Sequence, residues 1–143
     1  MFIGRYNYSL DEKGRLVIPS KYRAEISENL YLMKGFEGCL SIYKASDFEK
    51  KLNILAEQNF EKNVNRTYQR LLLSTAVELP LDKAGRILIP TSTLSDYSIG
   101  KDVVIVGLIN HFEIWDAKAW SEYENANKES FEKFAEELFN DEK

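Results

Sequence analysis

Short apolar runs separated by polar turn residues recur along the chain and predict β-strands. Runs of about 4–8 residues rich in β-branched and aromatic side chains are typical of strands. In the first half of the chain, such strands are predicted near residues 5–10, 15–18, 30–34 and 39–43. The second half contains the runs AVEL, RILI, VVIVG and FEIW, which predict four more strands.

Longer stretches with apolar residues three and four positions apart predict helices. Ser46 and Glu49 match a capping box at the start of one helix, and Asn63 and Asp116 are N-cap candidates for two others. The C-terminal helix would carry an apolar stripe formed by Trp120, Tyr123, Phe131, Phe134 and Leu138. This stripe can pack within the chain or against a neighbouring subunit, and its spacing favours neither arrangement.

The two halves of the chain are copies of one unit. Residues 10–19 read LDEKGRLVIP and residues 81–90 read LDKAGRILIP, with six identities in ten positions at an offset of 71. Farther along, the similarity continues at an offset of 72, where CLSIY at 39–43 matches HFEIW at 111–115. We interpret the change of offset as one inserted loop residue within a duplicated unit.

The repeated segment D-x-x-G-R predicts a hairpin turn between two strands. Aspartate can accept hydrogen bonds from backbone N–H groups two residues on, and glycine adopts the positive φ that such turns often need. Asp11 and Gly14 would form the first turn, and Asp82 and Gly85 the second. The proline that ends each motif suits a strand leading into a short helix, predicted for SKYRAEI and TSTLSDY.

A half-unit of four strands would have unpaired sheet edges and an incomplete core, and two halves can interlock to remove both defects. We therefore predict an α+β fold, a small closed β-barrel of two pseudo-symmetric repeats with peripheral helices. Residues 1–43 and 76–115 would form the barrel. The predicted single domain, 1–143, comprises a first repeat with its helix at 1–60, a connecting helix at 61–75, and a second repeat with the C-terminal helix at 76–143.

Charge is distributed unevenly. The 143 residues carry a net charge of −4, but residues 111–143 alone hold ten acidic against four basic residues. The remaining chain is slightly basic, and residues 1–23 hold five basic against two acidic residues. A mildly basic body with an acidic tail can still bind phosphate groups locally.

Cysteine content and hydropathy indicate the compartment. The single cysteine, Cys39, cannot form an internal disulfide. No apolar run approaches the ~18–20 residues of a membrane helix, and the N-terminus lacks a signal-peptide pattern. We therefore expect a cytoplasmic, reducing location and no membrane partner.

The segments LDEKGRLVIPSKYR, LDKAGRILIP and VIVGLINHFEIWDAKAW together resemble the MraZ family, within the AbrB/SpoVT-like group of swapped-hairpin barrels. The resemblance runs from Met1 to about Trp120. It implies a bacterial transcriptional regulator of a division and cell-wall gene cluster, associated with the nucleoid, that assembles into a ring-shaped homo-oligomer. Such proteins bind repeated G-rich boxes upstream of the cluster, and no cofactor, metal or small-molecule ligand is expected.

By this resemblance, Arg15 and Arg86 would contact double-stranded DNA. The residues that orient the hairpins would be Asp11, Asp82, Gly14 and Gly85. A two-stranded β-ribbon fits the major groove, and arginine can pair with O6 and N7 of guanine. Phosphate contacts would come from Lys13, Lys83 and Arg5. Alternatively, each arginine only pairs with the aspartate four residues before it and fixes the turn.

Three other functions have weaker support. An enzyme is disfavoured because His111 and Cys39 occupy equivalent positions in the two copies, and no nucleotide-binding loop or nucleophile elbow is present. An antitoxin-like or other protein-binding module would use the acidic, aromatic C-terminal helix. An RNA-binding role lacks an evident aromatic stacking platform.

Overall fold

Eight short strands and six α-helices make up the computed structural model, which describes residues 1–140. The strands are β1 Arg5–Ser9, β2 Arg15–Val17, β3 Leu30–Lys34, β4 Leu40–Lys44, β5 Val77–Leu79, β6 Arg86–Leu88, β7 Asp102–Gly107 and β8 His111–Asp116. The α-helices are α1 Ser20–Arg23, α2 Ala45–Ala56, α3 Asn63–Leu73, α4 Thr91–Asp96, α5 Ala117–Asn127 and α6 Phe131–Asn140. The predicted α+β class and the eight predicted strands are confirmed. None of these helices is both long and apolar enough to cross a bilayer.

Strand pairing exchanges elements between the two halves. Six strands form one antiparallel sheet in the order β1-β7-β8-β4-β3-β5, and β2 pairs with β6 in a separate two-stranded ribbon. The first strand of each half pairs with the third strand of the other half, β1 with β7 and β5 with β3. The sheet order is therefore the same when the halves are interchanged, as expected for a duplicated unit.

The predicted closed barrel is wrong. In the described chain, β1 and β5 lie at opposite ends of the six-stranded sheet and do not pair with each other. The predicted pairing of β1 with β2 across the turn is also wrong, because β2 pairs with β6. Strands β2, β5 and β6 have three residues each, which is too short to continue a hydrogen-bonded ladder around a barrel.

The ribbon is held on the sheet by buried side chains. Leu16 and Ile87 of the ribbon are 0% and 1% exposed. They pack in one cluster with sheet residues that include Leu30, Leu32, Leu40, Ile42, Ile105, Phe112 and Ile114. Burial of each such side chain stabilises the fold by roughly 1.5–3 kcal/mol, so two short strands suffice to hold the ribbon in place.

Two of the three predicted helix caps are wrong. Helices α2 and α3 follow Lys44 and Lys62, neither of which makes a side-chain capping bond, so Ser46 and Asn63 lie inside the first turns. Strand β4 runs directly into α2, and its last residue takes the position before the helix. The third prediction is confirmed, because the Asp116 carboxylate accepts a hydrogen bond from the Ala119 N–H at 3.2 Å.

The C-terminal apolar stripe is divided between two environments. Its first part packs within the chain, with the Trp120 ring 5.3 Å and the Tyr123 ring 4.9 Å from the Trp115 ring. Its second part, on α6, is exposed: Phe131, Phe134 and Leu138 are 75%, 50% and 62% exposed.

Candidate nucleic-acid interface

The first turn, Asp11–Arg15, is organised by the Asp11 carboxylate. Its Oδ1 accepts hydrogen bonds from the backbone N–H groups of Lys13 and Arg15, both at 2.9 Å. Its Oδ2 accepts from Nε of Arg15 at 2.5 Å. Gly14 has a φ of +86° and its N–H donates to the Asp11 carbonyl at 3.0 Å. One carboxylate thus fixes both the backbone of the turn and the direction of the arginine.

The second turn, Asp82–Arg86, repeats these bonds. Oδ1 of Asp82 accepts from the backbone N–H groups of Ala84 and Arg86 at 2.9 and 2.8 Å, and Oδ2 accepts from Nε of Arg86 at 2.9 Å. Gly85 has a φ of +76°. The two turns share one geometry although their central residues differ.

The same bonds favour the ionised form of both aspartates. The hydrogen bond from the Arg15 backbone N–H lowers the pKa of the Asp11 carboxyl, and the Arg15 side chain adds to this effect. The Arg86 backbone N–H lowers the pKa of Asp82 in the same way. A hydrogen bond to the charged form favours that form, so both carboxylates are negative at neutral pH.

The two arginines lie on one face of the β2–β6 ribbon. Arg15 pairs with Leu88, Leu16 with Ile87, and Val17 with Arg86. Because side chains alternate along a strand, burial of the central pair places the other two pairs on the opposite, outer face. Arg15 and Arg86 are diagonal neighbours on this face, and the Cα atoms of such neighbours are about 7–8 Å apart.

Two crossed hydrogen bonds connect the turns to each other. The Ile18 N–H donates to the Gly85 carbonyl at 2.9 Å, and the Ile89 N–H donates to the Gly14 carbonyl at 3.0 Å. Each turn is therefore bonded to the strand end of the other half. This arrangement fixes the spacing between Arg15 and Arg86.

The structure brings two of the three predicted phosphate-binding residues to the ribbon. Lys13 and Lys83 are exposed and lie within the two turns. Arg5 is elsewhere, because it begins β1, whose other end leads to the first turn. Its Nη1 forms an ion pair with the Glu124 carboxylate of α5 at 2.8 Å. Arg5 stands at the end of β1 that is farther from the first turn, and each residue of the strand adds about 3.3 Å to that distance. Arg5 is therefore not part of the ribbon.

Comparison with known proteins identifies the family. The family model described as "MraZ protein, putative antitoxin-like" matches the chain twice, at residues 1–71 and 72–142. The chain belongs to the MraZ family.

Several proteins of this family are similar over almost their whole length. The chain is 40% identical over 138 residues to a protein of Clostridium tetani, with 96% of each chain covered. It is 39% identical over 141 residues to a protein of Mycoplasmoides gallisepticum, with 99% of each covered, and 38% identical over 138 residues to one of a Thermoanaerobacter species, with 96% of each covered. All three carry the name "Transcriptional regulator MraZ".

The MraZ name is that of a regulator and not of an enzyme, which confirms the prediction that this chain is not an enzyme. In the structure, Cys39 and His111 lie apart. His111 pairs with Tyr43 across β8 and β4, whereas Cys39 precedes the opposite end of β4, four residues or about 13 Å away. Burial raises the pKa of the Cys39 thiol and lowers that of His111, so both side chains are uncharged at neutral pH.

Sequence reasoning missed two apolar members of the MraZ-family ribbon. Val17 and Leu88 lie beside the arginines on the outer face and are 38% and 54% exposed. In the sequence they stand only as members of apolar strands. The signal that identifies them is the two-residue alternation of side chains along a strand. Leu16 and Ile87, which stand between each arginine and these residues, are buried, so their neighbours on both sides face outward.

Proposed function

We propose that this chain is a transcriptional regulator that binds double-stranded DNA through the outer face of the β2–β6 ribbon. The observation that carries the proposal is the matched pair of arginines, with side chains 33% and 32% exposed, each oriented by an aspartate on one face of a two-stranded ribbon. The curated relatives are named as transcriptional regulators, which supports the same function.

The dimensions of the ribbon suit the major groove. The groove is about 12 Å wide and admits a two-stranded ribbon, whose strands are about 4.8 Å apart. The backbone positions of diagonal neighbours such as Arg15 and Arg86 are about 7–8 Å apart, which is close to two base-pair steps of about 3.4 Å. Arg15 and Arg86 would pair with guanines, and Val17 and Leu88 would contact thymine methyl groups beside them.

The aspartates leave the recognition atoms of the arginines free. Each carboxylate accepts from Nε, so the two Nη groups at the end of each guanidinium point away from that bond. Paired N–H donors on one plane are what guanine O6 and N7 require. Fixing the turn and reading a base are therefore compatible roles for Arg15 and Arg86.

Each chain makes few DNA contacts in this arrangement. Lys13 and Lys83 supply one phosphate contact at each turn, and an isolated protomer would bind weakly. Assembly into a ring-shaped homo-oligomer that engages repeated upstream boxes of a division and cell-wall gene cluster would raise the affinity through multivalency. The exposed apolar face of α6, with Phe131, Phe134 and Leu138, supports a contact between subunits.

The experiment that tests this function is fluorescence anisotropy with DNA from upstream of the gene. Wild type, Arg15→Ala, Arg86→Ala and the distant charge control Lys118→Ala are compared on this DNA and on a scrambled duplex. We expect each arginine variant to lose about 1–3 kcal/mol of binding free energy on the upstream DNA only. Light scattering checks that their assembly matches that of wild type.

A second function is favoured by the exposed face of α6. An antitoxin-like or other protein-binding module would cover this face with a partner. Equal, weak binding of wild type to both duplexes, unchanged in Arg15→Ala and Arg86→Ala, would overturn the DNA-binding proposal and favour this one.

A further inference from the structure

Arg23 is the last residue of α1, a short helix that is held in place by its buried side. Tyr22, the residue before it, is 2% exposed, and its hydroxyl donates to the Ile3 carbonyl at 2.8 Å. The Tyr22 ring lies 4.8 Å from the Phe2 ring and 5.3 Å from the Phe112 ring. Since Tyr22 is packed on several sides, the backbone of Arg23 has little freedom to move.

The side chain of Arg23 covers the second turn. Its guanidinium occupies the space where a side chain at Gly85 would lie. At the first turn the equivalent residue, 71 positions later, is Leu94, whose Cδ1 is 3.3 Å from the place that a Cβ on Gly14 would take. A guanidinium therefore stands beside one turn where a methyl group stands beside the other.

The positive charge of Arg23 has no acidic partner in the described structure. None of the seven ion pairs formed among residues 1–140 includes it. Its Nε is buried and makes no hydrogen bond there. An unpaired, partly buried guanidinium loses hydration without compensation, and an anion beside the turn would accept hydrogen bonds from its Nη groups, which are not among the buried unbonded atoms.

We propose that Arg23 forms a binding site for a DNA backbone phosphate beside the second turn, next to the base pair read by Arg86. Lys83, one residue after Asp82, would bind the same stretch of backbone from within the turn. The first turn lacks this site, because Leu94 replaces Arg23 and Glu12 replaces Lys83 at the equivalent positions. The site rests on the proposed function, since it takes the phosphate from DNA held by the ribbon.

The test is a salt titration of DNA binding. Arg23→Leu installs the side chain that the other half of the molecule already uses against Gly14, so we expect the protein to fold and assemble normally. Loss of one phosphate contact should reduce the slope of log K against log salt by about 0.9. Binding to upstream and to scrambled DNA should weaken by the same factor, because phosphate contacts carry no sequence information.

Three further variants separate charge from packing. Lys118→Leu removes a positive charge from the exposed face of α5 and should leave the slope unchanged. Arg23→Lys keeps the charge and should keep the wild-type slope, whereas Arg23→Gln should lose it even if Arg23→Leu fails to fold. Equal slopes for Arg23→Lys and Arg23→Gln would overturn the phosphate site.

The proposed function and the phosphate site can be refuted independently of each other. Wild-type protein that binds upstream and scrambled DNA equally would refute selective recognition by the ribbon. A smaller slope for Arg23→Gln in that case would still support the phosphate site, and an unchanged slope would refute it as well.

Discussion

The two turns of the ribbon have the same backbone and different chemistry. Asp11 and Asp82 accept the same three hydrogen bonds. In each turn one of the donors is Nε of the arginine four residues after the aspartate. The central residues are Glu12 and Lys13 in one turn and Lys83 and Ala84 in the other, so residues 11–15 are neutral and 82–86 carry one positive charge. Aspartate, glycine and arginine set the geometry of this motif, and the positions between them are free to set its charge.

The largest difference between the turns should appear when each glycine is replaced by alanine. Both glycines have positive φ, where an L-residue costs roughly 1–2 kcal/mol. The added Cβ at Gly14 would lie 2.9 Å from the Ile89 carbonyl oxygen, a backbone atom of the residue whose N–H makes the crossed hydrogen bond to Gly14. At Gly85 it would meet the Arg23 side chain, which can swing away. We expect Gly14→Ala to lower the free energy of unfolding more than Gly85→Ala in urea titrations.

Gly38→Ala is the matched control for this pair. Gly38 has a φ of +86°, and a Cβ there would meet nothing within 4 Å. Its cost measures backbone strain alone. If Gly85→Ala destabilised the protein more than Gly14→Ala, the assignment of a rigid contact to the first turn and a yielding one to the second would be wrong.

An exchange of charges between the turns should have a smaller effect. Glu12→Lys should strengthen binding to any duplex and steepen its salt dependence, and Lys83→Glu should do the opposite. Each phosphate contact that a variant adds or removes should change the slope by about 0.9. The double variant keeps the net charge of −4 and should return close to wild-type affinity in the anisotropy titration. Weaker binding by Glu12→Lys, or stronger binding by Lys83→Glu, would contradict phosphate contacts at these turns.

Acid pH should affect both turns alike, and this effect is the smallest. The pKa of Asp11 and of Asp82 is lowered on folding from its ordinary value of 3.8. Their contribution to stability is thus complete above that pH and is lost as the pH falls through the folded values.

Thermal melts followed by circular dichroism from about pH 5 downward check this dependence. Below pH 3.8, the melting temperature of wild type should fall more steeply than that of the Asp11→Asn/Asp82→Asn variant. The variant has no carboxylate at these positions to protonate. Parallel curves for the two proteins would show that the aspartates do not titrate differently in the folded state.

The repeat predicted much of the molecule. Eight strands, the turn geometry and the equivalence of Arg15 with Arg86 all follow from residues whose local roles are strict, such as a glycine at positive φ. Pairing partners did not follow, because alternation within a strand does not specify which strand lies beside it. The helix caps at Ser46 and Asn63 failed because α2 starts directly after β4, at Ala45, and Lys62 takes the position before α3.

Arg23 shows where single-sequence reasoning stops. Its place against Gly85 depends on a contact between residues 62 positions apart in the chain, and no local pattern marks it. The comparison that reveals it is between the halves of the structure, where Leu94 stands in the same position. Val17 and Leu88 were accessible to sequence reasoning, because their neighbours alternate in polarity.

The exchange of strands between the halves also governs how this protein is made. Strand β1 pairs with β7, so a strand of the first half pairs with one that begins at Asp102 and is made much later. At roughly 5–20 residues per second, the N-terminal strand waits about 5–20 s for its partner. Strand β2 likewise waits for β6. During synthesis the first half therefore has exposed strand edges, and the native sheet forms only after the strands of the second half have been made.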